Sequence, residues 1–197
     1  MKINFPSLFL FLFLLIWLNR AQIFITDCDG LQNMKNNLAT SYELLNDIDC
    51  QNITNFFPVG NFSTRFSGSF NGNYHEIKNV KINSSSSLDG VGIFGGTQNA
   101  LISNLNIVDL TLFSNATDHV GALAGFSTNT SFTNINLRTT LASNNNSITG
   151  KSTWNVGGLV GYLQGSQMDN ITIQNTIVEI QTCSPYNHGG FIIFINP

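Results

Sequence analysis

The sequence predicts an all-β fold, a parallel β-helix or solenoid of roughly four coils with a short N-terminal capping helix. Three observations carry that expectation. A glycine-rich apolar segment recurs four times, as VGIFGG at 91–96, VGALAGF at 120–126, VGGLVGY at 156–162 and HGGFIIF at 188–194. The first three are followed by an Asn-centred strand signal, ISNLNI at 102–107, FTNINL at 132–137 and MDNITI at 168–173. The cores keep their length while the connections vary, the behaviour expected of stacked repeats with insertions on one face.

Each repeat element follows from its side chains. In ISNLNI, Leu105 and Ile107 alternate onto one face, but Ile102 is out of phase by one residue. A bend at Ser103–Asn104 returns Ile102 inward, and Asn suits it because Asn tolerates the left-handed region. The same break recurs at Phe132, Met168 and Ile77. The Asn residues at these breaks, Asn79, Asn104, Asn134 and Asn170, are separated by 25, 30 and 36 residues. Stacking is expected to bring them into register as a hydrogen-bonded ladder.

The glycines have a phase of their own. Gly92, Phe94 and Gly96 share parity, as do Gly121, Leu123 and Gly125, and Gly157, Leu159 and Gly161. Glycine weakens a strand, so its recurrence points to a narrow interior, close backbone approach or positive φ. The opposite parity is apolar too, which predicts a strip covered by another segment or a partner. A third apolar stretch follows each Asn strand, at 108–113, 139–142 and 176–180.

The N-terminal region divides differently. Residues 1–21 read as a secretory signal peptide: Lys2 starts it, Leu8 to Leu18 is an apolar run of 11 residues, and Ala21 offers a small residue for cleavage. A signal anchor is the alternative. Residues 22–62 form an N-terminal cap, with a helix over Gly30 to Ala39 from the spacing of Leu31, Met34 and Leu38, Asp29 as its cap, and a strand over Tyr42 to Ile48. Cys28 and Cys50 could pair and close a loop of 22 residues. That leaves Cys183 as a buried thiol or a link to another chain. Residues 63–197 hold the repeats, and HGGFIIF opens a last coil that the sequence does not complete.

Composition excludes some functions. Charged residues are 10% of the chain, and beyond the leader six basic residues face eleven acidic ones, a net of −5. No Lys/Arg run exists, which argues against nucleic-acid or anionic-lipid binding. Seven N-x-S/T sequons stand at Asn52, Asn61, Asn83, Asn115, Asn129, Asn145 and Asn170, with the loop positions Asn83, Asn115, Asn129 and Asn145 favoured for glycosylation.

VGGLVGY followed by MDNITI resembles the GLUG motif, found in tandem in secreted and surface proteins that include bacterial adhesins and some immunoglobulin-cleaving peptidases. The lead-in from Tyr42-Glu43-Leu44 through Phe57-Pro58-Val59-Gly60 to Phe66-Ser67-Gly68-Ser69-Phe70-Asn71-Gly72-Asn73 is similar to what precedes such repeats. The resemblance spans residues 26–194 and implies a right-handed parallel β-helix, or a close relative, with no conserved chemistry. Two departures stand out. Ile193 replaces the last motif glycine, and Gly95-Gly96-Thr97 replaces the apolar residue that follows it.

Catalytic signals are thin. His75-Glu76 resembles the start of a zinc-protease HExxH, but the second His is missing and the segment reads as strand. Polysaccharide lyases and hydrolases on β-helices need clustered carboxylates beside Arg or Lys. Here Asp89, Asp109, Asp118, Asp169 and Glu179 occupy different repeat phases. An ice-binding face would need aligned threonines, which Thr139–Thr140 and Thr172–Thr176 do not supply. The expectation is an extracellular structural or adhesin-like protein, not an enzyme, without metal or cofactor. It would bind an extracellular protein or glycan, with loops 83–90, 114–119 and 143–155 as contacts, and could self-associate through its open C-terminal coil. No membrane insertion is expected after signal cleavage. The alternatives are a β-helix polysaccharide lyase or hydrolase, or a non-catalytic fragment of a larger surface enzyme.

Overall fold

A computed structural model of the chain describes residues 22–84, 90–115, 119–140, 146–150 and 155–180. The fold is all-β with one short helix, and every strand pairing is parallel. The first strand, β1 (Gln22–Ile25), precedes α1 (Cys28–Asn33) and a 3-10 turn (Met34–Asn36). Then come β2 (Ser41–Leu44), β3 (Ile48–Asp49), β4 (Ser69–Asn71), β5 (Glu76–Lys78) and β6 (Lys81–Ser84).

The repeats follow. The first contributes β7 (Phe94–Gln98), β8 (Leu101–Val108) and β9 (Thr111–Ser114). The second contributes β10 (His119–Val120), β11 (Ala124–Thr128), β12 (Ser131–Arg138) and β13 (Asn146–Gly150). The third contributes β14 (Asn155–Val156), β15 (Val160–Gln164), β16 (Gln167–Ile173) and β17 (Thr176–Ile180). Each repeat thus gives one strand to each of three parallel sheets: β7–β11–β15, β8–β12–β16 and β9–β13–β17. One buried cluster takes side chains from all three, among them Phe94, Ile102, Leu105 and Leu112.

The stacking is in register. Ile135 lies opposite Leu105 on one side and Ile171 on the other, and Phe132 opposite Ile102 and Met168. Ile102, Leu105 and Ile107 are all buried. This is possible because Asn104, at φ +54°, reverses the strand's phase between Ile102 and Leu105. Asn134 and Asn170 adopt the same conformation in the next two repeats.

The N-terminal region departs from expectation in three places. The helix covers Cys28–Asn33, with the 3-10 turn after it, rather than Gly30 to Ala39. Its cap is Asp27, which accepts a hydrogen bond from the Gly30 N–H at 2.7 Å; Asp29 lies in the first turn. The strand expected over Tyr42 to Ile48 is broken at Leu45–Asp47, because Ile48 moves across to pair with β5 while β2 pairs with β1 and β4. The β1 strand was not anticipated at all. Cys28 and Cys50 are disulfide-bonded, tying α1 to the segment after β3 across 22 residues. A loop of that length is worth about 3 kcal/mol.

The glycine segments also need a correction. Ala124 pairs with Phe94 and Val160, and Phe126 with Gly96 and Tyr162. The glycine equivalent to Gly125 and Gly161 is therefore Gly95, not Gly96, since the first repeat is one residue shorter between Val91 and this point. The space these glycines leave is filled by backbone. A Cβ on Gly125 would fall on the main chain of Gly90–Val91, and one on Gly161 on that of Val120. The backbone that lies against them belongs to the chain itself, and its side chains Val91 and Val120, with Val156 paired to Val120, are buried.

Candidate functional site

Three of the four predicted ladder residues are joined. Asn134 Nδ2 donates to Asn104 Oδ1 at 2.8 Å, and Asn170 Nδ2 donates to Asn134 Oδ1 at 2.8 Å. The ladder begins at Asn71, whose Oδ1 accepts from Asn104 Nδ2 at 3.0 Å. Asn79 is not a rung. It stands one place beyond Lys78, which pairs with Val108, so it aligns with Asp109, and its Nδ2 donates to Asp49 Oδ1 at 2.9 Å. Both Asn79 and Asp109 have positive φ. The first repeat thus has three left-handed positions, Asn99, Asn104 and Asp109, and Asn79 aligns with the last of them. The chain Asn71, Asn104, Asn134, Asn170 is a mechanical seam, flanked by bonds from Asn71 Nδ2 to Glu43 Oε2 and from Asn134 Nδ2 to the Tyr74 hydroxyl, each at 3.4 Å.

The favoured glycosylation positions Asn83, Asn115 and Asn129 are exposed, whereas Asn145 lies outside the described residues, as do Cys183, the leader and residues 188–194. Asn129 sits at φ +48° in the turn after β11.

Sequence spacing did not reveal that Asp47, His75, Glu76, Lys78 and Arg138 converge. Glu76 bonds to Lys78 Nζ at 2.6 Å and to the Arg138 guanidinium. Asp47 accepts the Glu76 N–H at 3.0 Å and lies 3.3 Å from His75 Nδ1 and 3.8 Å from Lys78 Nζ. The Glu76 N–H, with His75 and Lys78 beside it, holds the Asp47 carboxyl below the usual carboxylate range. Each acid here has its cation, so the cluster is neutralised within itself. His75-Glu76 forms no HExxH helix: Glu76–Lys78 is a strand. Among the described residues no three His, Cys, Asp or Glu side chains gather as a metal site would require.

A second unforeseen cluster is interior. Thr97 Oγ1 donates to Ser127 Oγ at 2.9 Å, Ser127 Oγ lies 3.0 Å from Ser166 Oγ, and Thr130 Oγ1 donates to Thr97 Oγ1 at 3.1 Å. These hydroxyls satisfy one another where the chain turns from the β7–β11–β15 sheet to the β8–β12–β16 sheet.

The third cluster lies on the solvent side of β7–β11–β15. Alternate residues on these strands form two columns, one of Gly96, Phe126 and Tyr162 and one of Gln98, Thr128 and Gln164. The Phe126 and Tyr162 rings stack with centroids 5.0 Å apart and planes 6° apart, and His119 packs 5.3 Å and 5.1 Å from them. Gly96 leaves the first place of the aromatic column empty. The loop 61–65 occupies it: a Cβ on Gly96 would meet the Asn61 carbonyl and the Arg65 stem. Phe62 lies edge-on to Phe126 at 4.8 Å and remains 38% exposed. The Arg65 guanidinium is held over Phe62 at 4.9 Å and over Phe126 at 4.5 Å. Its Nε donates to the Phe62 carbonyl at 2.8 Å, and Nη1 donates to Thr128 Oγ1 at 3.2 Å and Gln98 Oε1 at 3.5 Å. None of these partners is a carboxylate. Asn155 Nδ2 lies 2.9 Å from His119 Nδ1 at the edge of the group.

No family model matches the chain, and no curated protein sequence matches it. Among solved structures it is similar to one from Bacteroides ovatus described as a "putative immunoglobulin A1 protease". The identity is 16%, the match covers 84% of this chain and 80% of that one, and the TM-score is 0.29. A likeness at that level carries no functional conclusion. The Cys28–Cys50 bond fits an oxidising compartment, and no helix among the described residues is long and apolar enough to cross a membrane.

Proposed function

We propose that this chain is a secreted or surface-bound β-solenoid of the GLUG type, an adhesin-like binding protein without catalytic activity. In this reading the three sheets are the faces of successive coils, residues 1–21 direct export, and exposed sequons carry glycans. The observation that carries it is the face of β7, β11 and β15, where the Phe126 and Tyr162 rings stack and Gln98, Thr128 and Gln164 align at one strand spacing. Such a surface offers a ligand rings and amides on a rigid backbone, which lowers the cost of ordering the contacts. The charged cluster around Glu76, by contrast, is committed to holding neighbouring strands together.

The test is a binding screen against glycans and extracellular proteins, run beside an assay for cleavage of polyuronic polysaccharides. Saturable binding without turnover is the expected result. Turnover of a polysaccharide would replace this reading with that of a lyase or hydrolase.

A further inference from the structure

We infer that Arg65, with Phe62, Tyr162, Gln98 and Gln164 arranged around the buried Phe126, forms a binding site for a carboxylated saccharide. The inference rests on the reading of the chain as a binding protein and names the ligand of that face.

The argument begins with charge. Among the described Lys and Arg side chains Lys78 and Arg138 contact carboxylates, while Lys35, Lys81 and Arg65 do not, and of these three only Arg65 is fixed by both rings and hydrogen bonds. Arg65 contacts none among the described residues; its hydrogen-bond partners are a carbonyl, a hydroxyl and an amide oxygen. It is nevertheless positioned. Two rings fix the plane of the guanidinium, and bonds at Nε and Nη1 fix its rotation, while Nη2 has no hydrogen bond within the described chain. A preorganised, half-buried guanidinium with its charge uncompensated suits an incoming carboxylate.

The surroundings specify the rest of the ligand. The rings of Phe62 and Tyr162 present flat apolar surface beside the amides of Gln98 and Gln164, both exposed. A sugar ring has the matching form, an apolar C–H face with a rim of hydroxyls that exchange hydrogen bonds with amides. A peptide adds as a strand only at the edges of this sheet, β7 and β15, and not across the face where Arg65 and the rings lie. The net charge of the chain is negative, so attraction comes from this one guanidinium and acts only at short range.

The full-length secreted protein is titrated with oligogalacturonate, with the same oligomer fully methyl-esterified, and with a neutral glucan oligomer. Wild type should bind the acid about tenfold more tightly than its ester, the effect of one charge-assisted contact. Arg65→Gln should remove that preference, and Tyr162→Ala should weaken acid and ester alike. If Arg65→Gln disturbs folding, the comparison of acid with ester on wild type decides alone. Equal binding of acid and ester, or undiminished binding by a folded Arg65→Gln protein, overturns the inference while leaving a binding protein. Binding of a peptide and no saccharide also overturns it. Absence of binding to every saccharide and protein tried would remove the proposed function as well.

Discussion

Asn134 has φ +55° and an amide bonded on both sides, to Asn104 below and Asn170 above. Replacing it by Ala leaves a Cβ in the left-handed region without the polar side chain that makes Asn tolerant of it, and removes the bonds to Asn104, Asn170 and Tyr74, a loss of about 1–3 kcal/mol. Asn134→Gly loses the bonds but not the backbone comfort, so it should fall between wild type and Asn134→Ala in a urea unfolding series. The phase break between Ile102 and Leu105 made these Asn positions legible, because only a reversed backbone lets both neighbours point inward. It misplaced Asn79, since a left-handed Asn ends one strand as readily as it kinks another. The first rung, Asn71, stands opposite Ser103 rather than Asn104, so the Asn-centred pattern of the later repeats does not mark it. Arg65 and its rings were illegible for a different reason. Phe62 reaches Phe126 across 64 positions, through a loop whose course depends on a glycine at position 96.

At the scale of the element, the glycine strands are set by what lies across them. A Cβ at Gly125 would collide with the backbone of Gly90 and Val91, and backbone cannot step aside as a side-chain tip can. Gly125→Ala should therefore cost at least about 2 kcal/mol, in the range seen for overpacked cores. The measure is the shift in thermal unfolding midpoint relative to Asn134→Ala. A near-neutral result would mean that the Gly90–Val91 backbone does not lie against β11. The recurrence of glycine was visible in the sequence. Its register was not, because the one-residue difference between VGIFGG and VGALAGF can be absorbed at either glycine. The helix bounds were missed by the competition between two aspartates, Asp27 and Asp29, of which only Asp27 sits three residues before an N–H it can accept. β1 was missed because a four-residue strand beside a leader carries little periodicity of its own.

Across the whole molecule, contacts between repeats are made by side chains as well as by backbone, and two carboxylates take part. Burial pushes the Asp109 carboxyl up, but hydrogen bonds from Thr139 and Thr140 of the next repeat, with Arg138 beside them, outweigh it and hold it below its ordinary 3.8. Asp47 is likewise lowered. A carboxylate whose folded pKa is depressed stabilises fully above its unfolded value and loses that contribution as pH falls through the folded one. Unfolding free energy should thus be level near neutrality and decline below about pH 4. Asp109→Asn should make the decline shallower. An unchanged slope would mean that Asp109 does not bridge the repeats.

The central claim is that successive repeats lie over one another in parallel register, so that Leu105, Ile135 and Ile171 form one column. Methyl-to-methyl nuclear Overhauser contacts measured on Leu- and Ile-labelled protein test it most directly. The account predicts strong cross-peaks between Leu105 and Ile135 and between Ile135 and Ile171. It predicts none between Leu105 and Ile171, which are two strand spacings, about 9.6 Å, apart. Contact between Leu105 and Ile171 without Ile135 between them, or no contact between Leu105 and Ile135, would contradict it.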